Sequence, residues 1–104
     1  MGYYTDYNLE VSRVKGEDEA RLIERIKDEL GMETWGMSWY ANAKWYDHEK
    51  DMKALSSEFP EVLFTLEGRG EEWDDAWVKY FLGGKMQVCY AEITFPPLDE
   101  AKMT

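Results

Sequence analysis

The fold is decided by residues 3–30, YYTDYNLEVSRVKGEDEARLIERIKDEL, which join a strand pattern directly to a helix pattern. Residues 3–14 alternate between apolar and polar side chains, which predicts a half-buried strand. Residues 17–30 carry an apolar stripe at helical spacing, with acidic residues in the first turn, where the helix dipole favours anions. Gly31 is a natural C-terminal stop. This stretch is therefore predicted to form a β-α unit.

The next segment, residues 32–46, is rich in Trp and Tyr and is interrupted by Gly36 and Asn42. A glycine inside a strand pattern often marks a bulge or a bend. We therefore expect one bent or bulged strand that is strongest over residues 41–46, with its first half open to being a loop.

The remaining elements follow from turn and cap signals. Asp47 is a suitable N-cap for a second helix that extends to Phe59, because the proline that follows disfavours helix in the residue before it. Gly83-Gly84 predicts a two-residue hairpin turn in which both positions can adopt a positive φ. The predicted strands of this half are residues 62–67, 73–82 and 86–95, and residues 98–104 are expected to form a short tail or helical turn.

The predicted element order is β-α-β-α-β-β-β in a single domain, residues 1–104. Two strand–helix units followed by a meander favour an α+β fold with an antiparallel sheet and both helices on one face. The simplest arrangement is a ferredoxin-like sheet with an extended C-terminal β-hairpin.

The charge of the chain restricts its partners. Twenty-two acidic residues oppose 12 basic ones, and the net charge is −10. Nucleic acid and anionic membranes would repel such a surface, whereas a basic protein would be attracted to it. A need for high solubility explains the same net charge equally well. Cys89 is the only cysteine and no apolar run reaches the length of a membrane span, which favours a cytoplasmic protein.

No motif for catalysis or metal binding stands out. His48 is the only histidine, so a multi-histidine metal site is excluded, and a capping or surface role is expected for it. Asp47, Glu49 and Asp51 are spread around a helix and are interpreted as a solvated face rather than a cation site. No cofactor, no metal and no enzymatic activity are expected. The competing hypothesis is an enzyme that uses His48 with a neighbouring carboxylate.

The most distinctive segment is residues 67–77, EGRGEEWDDAW, in which carboxylates and tryptophans are interleaved around two glycines. Tryptophans are frequent interface anchors, and carboxylates steer a basic partner. A purely structural explanation is that both tryptophans pack under the second helix. The predicted partner-binding residues are Glu67, Glu71, Glu72, Trp73, Asp74, Asp75 and Trp77.

The aromatic residues of the second strand segment offer a different hypothesis. They either belong to the core or surround a planar small molecule or a sugar against the sheet. The alternative ligand-binding residues are Trp35, Trp39, Tyr40 and Trp45.

Several short motifs occur in a characteristic order: Trp35-Gly36, Lys44-Trp45, LSSEFP at residues 55–60 and EVLFTLEGRGEE at residues 61–72. In this order they resemble small phage and mobile-element proteins of the YubB ferredoxin-like type, over roughly residues 35–87. The resemblance implies a ferredoxin-like fold and a phage or plasmid setting, and it carries over no catalytic residue.

The expected function is that of a phage-type acidic binding protein. By analogy with other small acidic phage proteins, it would inhibit a host nucleic-acid-binding defence protein, as anti-CRISPR or anti-restriction proteins do, with carboxylates in place of nucleic-acid phosphates. The alternative is a ferredoxin-like small-molecule-binding or regulatory module. A free strand at the sheet edge also makes a homodimer conceivable.

Overall fold

The structure of the chain is a computed structural model that describes residues 3–30, 33–35, 38–72, 74–92 and 94–104, with the backbone alone for residues 33–35. It is an α+β structure. The strands are β1 (Thr5–Ser12), β2 (Glu33–Trp35), β3 (Ser38–Ala43), β4 (Leu63–Arg69), β5 (Ala76–Leu82) and β6 (Lys85–Tyr90), and the helices are α1 (Glu19–Leu30) and α2 (His48–Glu58). Short 3-10 turns cover Gly16–Asp18 and Glu100–Lys102.

The strands form one six-stranded sheet in the order β2-β3-β1-β4-β5-β6, and every neighbouring pair is antiparallel. Strand β1 lies inside the sheet between β3 and β4, which explains why its alternating pattern is so regular. Strands β2 and β6 form the two edges. The β4–β5 pair continues directly into the β5–β6 hairpin.

Alternation along the strands places the core on one face of the sheet. Leu9 on β1 lies opposite Leu66 on β4, and both are fully buried. The buried side chains of both helices belong to the same core: Leu22 and Ile26 from α1, Met52 and Leu55 from α2. Both helices therefore cover this face, and the other face of the sheet, which we call the open face, carries no helix among the described residues.

The hairpin turn confirms its sequence prediction. Gly83 and Gly84 have φ angles of 57° and 82°, a region that side chains other than glycine rarely adopt. The Gly84 N–H donates to the hydroxyl of the fully buried Ser56 over 2.9 Å. The turn is therefore tied to α2, which fixes β5 and β6 against the core.

Two expectations about strand boundaries are wrong. Residues 32–46 do not form one bent strand, because β2 and β3 pair with each other, with Trp35 opposite Ser38, and β3 ends at Ala43. The element order is consequently β-α-β-β-α-β-β-β. Strand β6 ends at Tyr90 rather than at Phe95, because the residues beyond it form no strand in the described part of the chain.

Candidate functional site

Five carboxylates lie near the end of β4 and in the connection to β5, and we call them the acidic turn: Glu67, Glu71, Glu72, Asp74 and Asp75. The connection that carries them is closed by backbone hydrogen bonds. Gly70 donates its N–H to the Asp75 carbonyl over 2.8 Å, and Asp75 donates to the Glu72 carbonyl over 3.0 Å. Asp75 is half-buried, and the other four residues are exposed.

Two tyrosines hold the acidic turn in place. The Tyr3 hydroxyl accepts a hydrogen bond from the Glu72 N–H over 2.8 Å, and the Tyr4 N–H donates to the Glu71 carboxylate over 2.6 Å. A Cβ on Gly70 would overlap both the Tyr3 ring and the Asp75 carboxylate. The turn is thus packed closely against the segment that precedes β1, and its charges have a defined geometry.

The acidic turn keeps its negative charge. Among the described residues, the ion pairs join Lys15 to Glu61, Arg21 to Asp18, Arg25 to Glu29 and Glu58, and Lys79 to Glu49. In this part of the chain none of these pairs includes a carboxylate of the acidic turn. Five carboxylates elsewhere have a basic partner within these ion pairs, whereas those of the turn have none in the described part of the chain.

A groove on the open face continues from the acidic turn. It has a volume of about 560 Å³, and its lining includes Glu67 and Arg69 of β4, Asp6 of β1, Tyr40 of β3 and Tyr90 of β6. Side-chain hydrogen bonds from Asn42 and Tyr40, both of 2.8 Å, hold the pKa of Asp6 below its usual range. Asp6 is therefore ionised near neutral pH. The charge of Arg69, which also lowers the pKa of Asp6, lies with Asp6 and Glu67 in the same groove.

Trp77 is part of the lining of this groove, but the residue as a whole is buried. It is 8% exposed, and its ring packs on the helix side of the sheet, against Gly68 of the neighbouring strand. The His48 ring stacks with it, with ring centroids 5.0 Å apart and planes inclined by 12°. This burial favours the explanation that Trp77 packs under the second helix over its predicted role as a surface anchor. Trp73 lies outside the described residues.

The structure also brings together a buried cluster that the sequence reading missed, which we call the Lys79 cluster: Lys79, His48, Glu49 and Trp77. The Lys79 ammonium group donates to His48 Nε2 over 2.6 Å and lies 2.8 Å from the Glu49 carboxylate. It also lies 4.1 Å from the centre of the Trp77 ring. Lys79 is 5% exposed, so it is almost completely buried.

The hydrogen bonds of His48 define its protonation state. Nδ1 lies 2.9 Å from the Trp45 carbonyl, which can only accept, so Nδ1 carries the proton and Nε2 accepts from Lys79. Burial lowers the pKa of His48 and the neighbouring Lys79 charge lowers it further, while the Trp45 carbonyl opposes the shift. His48 is therefore neutral near pH 7. It joins α2 to β5 instead of capping the helix from the surface.

The three residues of the alternative ligand site whose side chains are described do not line one pocket. Trp39 is 1% exposed and lies on the core side of β3, whereas the adjacent Tyr40 is 44% exposed on the open face. Trp45 lies after β3 and donates from Nε1 to Asp51 over 2.7 Å. The side chain of Trp35 lies outside the described residues. Of this set, Tyr40 alone contributes to the lining of the open-face groove.

No helix in the described part of the chain is long and apolar enough to cross a membrane. Within the same residues, no group of three or more His, Cys, Asp or Glu side chains is arranged to hold a metal ion. Comparison of the chain with protein-family models, with curated proteins and with solved structures finds no match.

Proposed function

We propose that this chain is a cytoplasmic, phage-type binding protein that inhibits a basic, nucleic-acid-binding defence protein of a bacterial host. The acidic turn would occupy the partner's nucleic-acid groove, where its carboxylates replace phosphates. The setting, suggested by the resemblance to YubB-type proteins, is part of the proposal. The ferredoxin-like assignment is also part of the proposal. It is supported by the β-α-β-β-α-β order of the first elements and by the β2-β3-β1-β4 arrangement of the first four strands.

One observation carries the proposal: five carboxylates lie together at one end of the sheet, and no ion pair among the described residues neutralises them. Placing like charges together without counter-charges destabilises a folded chain slightly. A partner rich in Lys and Arg would supply the missing counter-charge. Such complementarity increases association rates and favours basic over acidic partners.

The hydrogen bonds of Tyr3 and Tyr4 support the same proposal. They attach the backbone and one carboxylate of the turn to the body of the protein, so little conformational entropy is lost when a partner binds. A turn whose acidity served solubility alone would need no such attachment. Glu67 and Asp6 extend the negative surface onto the open face, where the groove provides room for a partner's basic side chain.

The groove on the open face favours a second candidate function, a small-molecule-binding or regulatory module. Its volume of about 560 Å³ is that of a typical ligand pocket, and Tyr40 and Tyr90 offer aromatic surfaces within it. Such binding would depend little on salt and would be independent of Glu71 and Glu72, which separates it from the first proposal.

Neutralising the acidic turn is expected to abolish salt-sensitive capture of basic proteins. The variant combines Glu71→Gln, Glu72→Gln, Asp74→Asn and Asp75→Asn, which keep hydrogen-bonding capacity and remove charge. We expect binding to the captured partner to weaken about tenfold or more, which corresponds to about 1.4 kcal/mol. The measurement is a pull-down from a bacterial lysate at low and high salt, followed by titration of the identified partner.

A matched control removes the same amount of charge from a distant helix face. Glu17→Gln, Glu19→Gln, Glu24→Gln and Asp28→Asn all change exposed carboxylates without an ion pair among the described residues. This control should bind as the unmodified chain does. If the control and the turn variant lose binding equally, net charge rather than the acidic turn determines it, and the assignment of the site is rejected.

A further inference from the structure

The arm is the name used here for residues 91–104, of which the structure describes all but Ile93. Three of its large apolar side chains face solvent: Phe95 is 86% exposed, Leu98 is 78% exposed and Met103 is 69% exposed. The Ala91 N–H donates to the Ala76 carbonyl. Beyond Ala91, the hydrogen bonds of the arm within the described residues are local ones among residues 99–103. Within the described residues, these three apolar side chains of the arm are therefore left exposed.

The dimensions of the molecule agree with a projecting arm. The radius of gyration is 17.0 Å, and the longest axis measures 58 Å. A globular chain of this length has a radius of gyration of about 13 Å. Pro96 and Pro97 fix their own φ angles and disfavour helix at the residue before each of them, so the backbone from Phe95 to Pro97 is restricted before it meets a partner. A stiff segment loses less entropy when it docks.

The hairpin groove is a second recess on the open face, with a volume of about 450 Å³, at the end of the sheet away from the acidic turn. It is lined by Arg13, Leu63, Tyr80, Leu82, Lys85 and Gln87, among others. Its apolar residues are incompletely buried, with Tyr80 37% and Leu82 39% exposed. Neither Arg13 nor Lys85 has an ion pair among the described residues, so this recess is cationic on a chain of net charge −10.

The chemistry of the arm matches the chemistry of the hairpin groove. Phe95 and Leu98 provide apolar side chains, and Asp99 and Glu100 follow them directly with two negative charges. An apolar floor flanked by cations suits such a segment, because the rings and methyl groups are buried while the charges pair at the rim.

We propose that the arm docks in the hairpin groove of a second copy of this chain, so that two copies exchange arms in a symmetric dimer. The arm leaves the sheet at Tyr90, the end of β6 next to Ala76, whereas the hairpin groove lies at the opposite end beside Lys85. An extended arm therefore points away from its own groove. Exchange of arms buries two such contacts at once.

Charge reversal on each side tests this dimer with the full chain. The groove variant carries Arg13→Glu and Lys85→Glu, and the arm variant carries Asp99→Lys and Glu100→Lys. Sedimentation velocity over a wide concentration range should give twice the mass of one chain for the unmodified protein and the mass of one chain for each variant alone. An equimolar mixture of the two variants should regain the doubled mass, because each arm then meets a groove of opposite charge.

The controls make every outcome decisive. Lys27→Glu with Lys50→Glu reverses two exposed charges elsewhere and should leave the doubled mass unchanged, and circular dichroism verifies that each variant is folded. A monomeric unmodified protein would overturn the proposal. So would a dimer that is insensitive to both reversals, as expected of pairing through a sheet edge. A mixture that stays monomeric would also overturn it, because opposite charges on arm and groove would then fail to restore the dimer.

Discussion

Gly68→Ala is expected to lower the free energy of unfolding by about 1–3 kcal/mol, the range typical of overpacking in a core. A Cβ at this position would overlap the six-membered ring of Trp77, which lies over the Gly68 backbone on the neighbouring strand. The ring is also stacked with the His48 ring of α2, with centroids 5.0 Å apart. Relief of the overlap would therefore disturb the contact between α2 and the sheet.

The comparison is with Gly16→Ala, where a Cβ meets no atom within 4 Å and φ is not positive. That substitution should change stability by less than about 1 kcal/mol, and the direction can be favourable because the unfolded chain loses freedom. Chemical denaturation of both variants provides the measurement. Equal stability of the two would mean that Trp77 does not pack over Gly68 as described.

Glu49→Gln should destabilise the protein more than Lys79→Met does. Removing the Glu49 charge leaves a buried ammonium group with a neutral neighbour, and a charged group that loses such a partner costs about 1–3 kcal/mol. Lys79→Met instead leaves the carboxylate, whose side chain is 44% exposed and can be hydrated. Replacing a buried charge with an apolar side chain of similar size is often close to neutral.

Denaturant titrations of the two single variants and of the double variant near pH 7 measure this asymmetry. The double variant should recover stability relative to Glu49→Gln, because it no longer contains the buried ammonium group. The pKa of Glu49 is lowered chiefly by the hydrogen bond from Lys79, so its carboxylate is ionised at this pH. A larger loss for Lys79→Met than for Glu49→Gln would contradict the description of the cluster.

Much of the fold could be predicted because the strands near the centre of the sheet are covered on one face alone. Tyr7 and Leu9 on β1, like Phe64 and Leu66 on β4, alternate with polar residues, and this period identifies both the strand and its buried side. The glycine pair at the hairpin could be recognised because its geometry requires positive φ angles.

The boundaries that failed are those without a clean period. Residues 32–46 contain aromatic side chains on both faces of β3, since Trp39 is buried and Tyr40 is exposed, so composition alone could not separate β2 from β3. Residues 91–95 resemble a strand in composition, but a strand also needs a neighbour, and beyond Ala91 the described residues make no ladder with β5. Pairing is a property of the whole sheet rather than of the segment.

The candidate site, like the fold, could be predicted from the sequence only in part. Exposed carboxylates could be located from sequence, because charge seldom lies in a core. The burial of Trp77 and Lys79 could not be predicted, because a strand face that mixes aromatic rings with charge fits either a surface or a core that contains a buried ion pair. The useful signal was the position of Lys79 between Trp77 and Phe81 on one strand face, which placed the lysine in the core once the rings were buried.

We propose that the acidic turn takes the place of nucleic acid in the basic groove of a partner protein. The most direct test is a competition experiment on the partner identified by capture, with a fluorescent oligonucleotide bound to it and this chain as the competitor. We expect the chain to displace the oligonucleotide. The variant with a neutralised acidic turn should need a concentration at least about tenfold higher for the same displacement. A stable complex that contains the partner, the oligonucleotide and this chain together would contradict the claim.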